Sequence, residues 1–391
     1  MDAIEEYLNL GLALGRHIEG FVDYYYGPPA LAERAAAGAP EPPGALGERA
    51  RRLLGELDAG GDLEADRRRW LAAQVRGLHT TARKLAGEHI GYLDEIEACY
   101  GVRPAPVDED RLAEAHQRLE RVLPGSGPLG ERYIAWREAQ VVPPEQLRPA
   151  LDSLAEDFRS RTDRLFGLPE GERVDFELVD HRPWSGFNYY LGGLRSRVAI
   201  NTDLPVLSLS VGHLVAHEAY PGHHTEHCRK EVGLVRRRHH LEESIGLVGV
   251  PQCLIAEGLA DLGLEVLAGA RPEPVIESHL KPLGVPYDAE LAATVTEAAE
   301  LLGSVRGNAA IGIHEHGWSF DDAVAYTERW ALTTRARASK SVEFLVDPTW
   351  RAYPFCYIDG LRLCRRFVAG DPARFERLIT EQMVPGELVA P

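Results

Sequence analysis

Apolar residues recur three and four apart through most of this 391-residue chain, and that spacing commits it to a helical architecture. The pattern runs from Ile4 to Phe21, Arg67 to Ala98, Asp110 to Val122, Pro144 to Phe166, Pro272 to Leu302 and Asp321 to Ser339. Between these stretches lie short breakers such as Gly38 to Gly44, Gly101 to Val107 and Pro124 to Pro128, which suit helix-to-helix connections. Two segments read as strands. Val174 to Leu178 alternates apolar and polar residues, and Arg197 to Asn201 carries β-branched residues before the Asp203-Leu-Pro205 break. The expected fold class is therefore mainly α, a large helical fold with a small antiparallel sheet. The length allows one large domain or two that share a core. The expectation is a single domain over 1–391 in two lobes, a helical lobe at about 1–165 and a second lobe at about 166–391.

Charge removes one class of partner. With 43 Lys+Arg against 60 Asp+Glu the net charge is -17, a field that repels phosphate backbones, so no nucleic acid is expected as a partner. The 5 cysteines are scattered and form no C-x-x-C pair, which fits a reducing compartment better than a disulfide framework. The start Met1-Asp-Ala-Ile-Glu-Glu6 lacks a basic, apolar leader, and the most apolar stretch, Ser244 to Ala270, is interrupted by Glu257, Asp261 and Glu265. The expectation is a cytoplasmic protein with no membrane partner.

Histidine is concentrated in one place, where His213, His217, His223, His224 and His227 fall within fifteen residues, and Glu218 follows His217 directly. Neutral imidazoles bind a borderline metal without cancelling its charge, and a neighbouring carboxylate can take a proton from water at the metal. The spacing departs from H-E-x-x-H, because Pro221 occupies the fourth position after His217. On a regular helix His217 and His223 would be separated by roughly 9 Å of rise. Pro221-Gly222 can supply a distortion that brings them together. His224, seven residues on, would return to the same face of an unbroken helix and is the competing ligand.

A third ligand comes from Pro251 to Ala268, a helix apolar nearly all round except for Glu257, Asp261 and Glu265 at i, i+4, i+8. Carboxylates on a buried stripe are costly unless a cation faces them. Glu257 is the preferred ligand, and Asp261, one turn on, would orient an imidazole. Arg197 to Asn201 could also be an edge strand that pairs with an extended peptide beside the metal, which makes Arg197 and Asn201 substrate-binding candidates.

His217-Glu-Ala-Tyr-Pro-Gly-His-His224, followed by Glu257-Gly-Leu-Ala260, resembles the bacterial family called domain of unknown function 885, with motifs H-E-x-x-P-G-H-H and E-G-W-A. That family is grouped with gluzincin-type metallopeptidases and is similar in fold to the Taq-type metallocarboxypeptidases. The resemblance extends to Val22-Asp-Tyr-Tyr-Tyr-Gly27, Asp94-Glu95, Leu123-Pro-Gly-Ser-Gly127, Gly312-Ile-His314, Gly317 to Ala323 and Tyr357-Ile-Asp-Gly360. It implies His217, His223 and Glu257 as zinc ligands, Glu218 as general base, and His314 and Tyr357 as stabilisers of an oxyanion. Leu259 replaces the usual Trp, Ala310 stands where many members have Asp, and P-G-Q-A reads Tyr353-Pro-Phe-Cys356, with Tyr353 taken as substrate-binding.

The implied function is a zinc-dependent hydrolase, a metallopeptidase acting on small or unfolded peptides. Two alternatives stand beside it: a metal-dependent hydrolase or lyase of a non-peptide metabolite, and a catalytically inactive helical binding protein.

Overall fold

The computed structural model describes residues 2–60, 62–182 and 184–389, and it is mainly helical, as the apolar spacing predicts. Local chemistry sets the helix ends. Pro144, Pro251, Pro354 and Pro372 stand in first turns, where a missing N–H costs nothing. Asp108, Asp288, Ser319 and Thr334 cap other helices by accepting a backbone N–H. Three of the long periodic stretches prove to be pairs of helices. Residues 67–98 divide between Ala65–Leu85 and Tyr92–Tyr100, residues 272–302 between Glu273–Leu280 and Ala289–Ala299, and residues 321–339 between Phe320–Trp330 and Arg335–Val346.

Among the described residues five strands accompany the helices: β1 (Val22–Tyr25), β2 (Arg173–Val179), β3 (Gly186–Gly192), β4 (Arg195–Asn201) and β5 (Ile245–Leu247). β1 and β5 form a small antiparallel pair, and the others form a sheet of order β2-β4-β3. Both strands read from the sequence lie in this second sheet and run parallel to each other, with β3 antiparallel to β4. The expectation that Arg197 to Asn201 offers a free edge is corrected by the strand order: β4 is central and hydrogen-bonded on both sides, so the edges are β2 and β3.

Each of the five apolar clusters draws on residues from both sides of residue 165. The first lobe is therefore not built on a core of its own. Leu151 and Phe158, for example, pack with Val211, Val215 and Ile276.

The helix Pro251–Ala268 runs through the centre and uses two glycines to accept close neighbours. A methyl group at Gly258 would lie 2.3 Å from the Gly360 carbonyl, and one at Gly263 would lie 2.9 Å from the Pro221 ring. The first contact admits the helix Pro354–Val368; the second docks the break between the histidines. Replacing Gly258 by Ala should destabilise the protein by about 2 kcal/mol or more, since backbone atoms must move apart. Thermal melting checks this, and an unchanged midpoint would contradict the packing described.

Candidate metal centre

His213, His217 and Glu218 lie on the helix Ser208–Glu218, which ends where Ala219 leaves helical geometry at φ -122°, ψ -83°. The chain then turns back on the helix end, and a second helix, His223–Lys230, begins. Gly222 makes this turn possible. A Cβ there would sit 2.0 Å from the His217 carbonyl oxygen and 2.5 Å from that of Ala216, so any side chain is excluded. The Gly222 N–H donates to Ala216 at 2.9 Å, and Thr225 Oγ1 donates to Ala219 at 3.1 Å. As a result His223 Nε2 lies 3.1 Å from His217 Nε2.

Glu257 completes the group. Its Oε2 is 3.4 Å from His217 Nε2, and its Oε1 is 3.8 Å from His223 Nε2. Donor atoms about 2.0–2.1 Å from a tetrahedral zinc are separated by roughly 3.3 Å, close to the 3.1 and 3.4 Å found for two of the three pairs. Glu257 Oε2 is buried and makes no hydrogen bond, whereas Oε1 accepts one from Tyr353 at 2.7 Å. On the other side of the His217 ring, Nδ1 is 2.9 Å from Asp261 Oδ1, which also lies 3.3 Å from His213 Nε2. With its Nδ1 proton donated to Asp261, His217 turns the Nε2 lone pair toward His223 and Glu257. Three donor atoms thus converge on one point, and the donor set suits a divalent cation.

The electrostatics agree. Glu218 is 6% exposed; burial pushes its pKa up to about 7, with His217 opposing and Glu257 reinforcing the shift. Burial likewise takes Asp23 up to about 7, against the pull of His223 and helped by Glu257, Glu218 and Glu226. Burial opposes protonation of His217, yet Asp261 and Glu257 outweigh it and hold its pKa well above the ordinary value. His223 is shifted down, chiefly by burial. Four carboxylates therefore surround two imidazoles, an excess of negative charge centred on the donor atoms.

The sequence candidates divide cleanly. His217, His223, Glu257, Asp261 and Glu218 come together, and the Tyr357 ring stacks on His217 at 6.3 Å. His224 does not join them, because the break turns it away: its Nε2 meets Glu172 at 2.8 Å and its Nδ1 meets Ser196 at 2.8 Å. His314 is also removed from the site. Its Nε2 bonds the Leu345 carbonyl at 2.8 Å and its ring lies on Tyr92 at 4.4 Å, so it secures packing and faces no oxyanion. Tyr353, expected to touch substrate, holds Glu257. Glu265 pairs with Arg365 at 3.0 Å, Arg197 pairs with Glu177 at 3.5 Å, and Asn201 donates to the Arg182 carbonyl at 2.8 Å.

Asp23 and the strand β3 were missed as site elements. β3 passes so close that a Cβ at Gly186 would be 3.0 Å from Glu218 Oε1, and Asn188 Nδ2 donates to the Glu218 carbonyl at 2.5 Å. A signal for Asp23 existed in Val22-Asp-Tyr-Tyr-Tyr-Gly27, which pairing with β5 carries to the site.

No protein-family model matches the chain, and no curated protein is similar to it in sequence. Its fold is similar to that of "the putative lipoprotein from Colwellia psychrerythraea", with TM-score 0.52 and 16% identity over 88% of this chain. This chain spans 65% of that one. "A putative lipoprotein of unknown function from Shewanella oneidensis" gives TM-score 0.49 and 14% identity, over 92% of this chain and 74% of the other. The expectation of a cytoplasmic location conflicts with the description of the Colwellia neighbour as a putative lipoprotein and is withdrawn. Among the described residues no helix is long and apolar enough to cross a membrane.

Two outcomes follow from this geometry. His223→Gln should abolish stoichiometric zinc binding while His224→Gln retains it, as metal analysis after zinc loading and dialysis will show. In the metal-free protein, Glu218 ionises at a higher pH when folded (about 7) than its ordinary 4.5, so it subtracts stability progressively as pH rises from about 4.5 to 7. Glu218→Gln should therefore raise the melting temperature of metal-free protein at pH 7.5 and leave it nearly unchanged at pH 4.5. Equal effects at both pH values would contradict the assigned burial.

Proposed function

We propose that this protein is a zinc-dependent hydrolase, a metallopeptidase that acts on small or unfolded peptides. The observation that carries the reading is the convergence of His217 Nε2, His223 Nε2 and Glu257, with the buried carboxylate of Glu218 beside them. The resemblance of His217 to His224 and Glu257 to Ala260 to the motifs of family 885 supports the same assignment.

His217, His223 and Glu257 would hold the zinc, which when bound polarises a carbonyl and lowers the pKa of water. Glu218 takes the proton from the attacking water and returns it to the leaving amine. A carboxyl group poised near neutrality suits both transfers. Asp261 holds His217 in the required tautomer, and Tyr353 fixes the orientation of Glu257. Tyr357, whose ring lies beside that of His217, would stabilise negative charge developing on the substrate carbonyl, a role worth about 3 kcal/mol in such sites. β3, the edge strand beside Glu218, would take an extended peptide by backbone pairing.

Digestion of a mixed peptide library by zinc-loaded protein tests the reading. Cleavage should appear with zinc, disappear with chelator, and fall about a hundredfold or more in Glu218→Gln. Cleavage at an undiminished rate in that variant would contradict the assignment of the base.

A further inference from the structure

A cavity of about 540 Å³ opens behind Tyr357 and Asp261, between the helices Glu109–Val122, Val305–His316 and Pro354–Val368. Its lining is unlike the rest of this acidic molecule. Arg111, Arg118, Arg306, Arg362, Arg365 and Arg366 all contribute, against four carboxylates. Two of those carboxylates are already committed, Asp261 to His217 at 2.9 Å and Glu300 to Arg365 at 2.6 Å. Arg362 and Arg365 have ion-pair partners. Among the described residues Arg111, Arg118, Arg306 and Arg366 form no ion pair, and six arginines against four carboxylates leave the lining net positive in a chain whose net charge is -17.

Arg306 adds an independent observation. Its guanidinium lies over the Tyr357 ring at 4.9 Å, and its Nε is buried without a hydrogen-bond partner. A buried donor left unpaired is costly. The other face of the problem is distance: one ring, that of Tyr357, separates Arg306 from His217. Extended chain advances about 3.3–3.6 Å per residue, so a peptide reacting at the metal would bring a side chain two or three residues away into this cavity.

We propose that the cavity binds acidic side chains flanking the scissile bond, so that the protein prefers peptides with clustered carboxylates. The proposal rests on the peptidase reading for its substrate class. Six guanidinium groups against four carboxylates exceed what a single terminal carboxylate would engage, which favours a run of Glu or Asp over a chain end. Planar guanidinium groups take carboxylates by paired N–H donors, and the flank would satisfy Arg306 Nε.

The test is binding to the Glu218→Gln protein, measured by calorimetry with and without zinc, so that it does not depend on turnover. The probe is an N-acetylated, C-amidated hexapeptide containing three consecutive glutamates, compared with its glutamine counterpart. The glutamate peptide should bind about tenfold more tightly, a difference that shrinks as salt is raised. In the additional double variant Arg306→Gln, Arg366→Gln the preference should fall to within about twofold, with melting temperature and zinc content unchanged. A control change, Arg335→Gln on a distant exposed helix, should preserve it. Equal binding of the two peptides to the parent protein, or a preference that survives in the double variant, would overturn the proposal. Tighter binding of a phosphoserine version, with competition by inorganic phosphate, would overturn the carboxylate assignment. Failure of zinc binding with the peptide preference intact would count against the hydrolase reading alone.

Discussion

The approach of Gly222 to the carbonyls of Ala216 and His217 is the contact on which the centre depends. It folds the chain back on the end of one helix and starts the next, and it turns six residues of sequence separation into 3.1 Å between imidazole nitrogens. The helix Pro251–Ala268 fits against this break through Gly263, and against the helix carrying Tyr357 through Gly258. Glu257 stands next to that second glycine, so the packing that brings Tyr353 within 2.7 Å of it also sets its distance to His217. Backbone proximity, secured by three glycines, is what positions the side chains.

Charge gives the arrangement its chemistry. Asp23, Glu218, Glu257 and Asp261 approach two imidazoles from three elements: β1, the helix Ser208–Glu218, and two successive turns of Pro251–Ala268. Burial pushes Asp23 and Glu218 toward neutrality, while Asp261, hydrogen-bonded by two histidines, stays far below the usual carboxylate range despite its burial. Groups so close with pKa values driven apart divide the labour between orienting a ligand and moving a proton. The stability cost of this concentration is what a divalent cation would offset.

Much of this was legible in the sequence. The helix Pro251–Ala268 appears with the limits its apolar run and Pro251 define, and the histidine pair follows from reading Pro221-Gly222 as a break. Choosing between His223 and His224 needed the resemblance at the motif level, because spacing alone favours His224 on an unbroken helix. The errors have physical causes. β3 buries Asn188 and Tyr190, so it shows no apolar alternation, and its role as an edge fell to β4 by default. Glu265 sits on the same stripe as Glu257 but meets Arg365, which no local pattern reveals. His314 carries the motif yet satisfies a backbone carbonyl. The arginine-lined cavity draws on three helices far apart in sequence, so composition hid it within an acidic whole.

The donor set at His217, His223 and Glu257 is the feature from which the proposed chemistry follows. X-ray absorption at the zinc edge, on protein loaded with one equivalent of zinc, reads that set directly. The spectrum should show two imidazole nitrogens at about 2.0–2.1 Å with carboxylate and solvent oxygens completing a four- or five-coordinate shell. His224→Gln should leave it unchanged, and His223→Gln should lose one imidazole or the metal. A shell containing sulfur, a single imidazole in the parent protein, or no bound zinc at all would contradict this donor set.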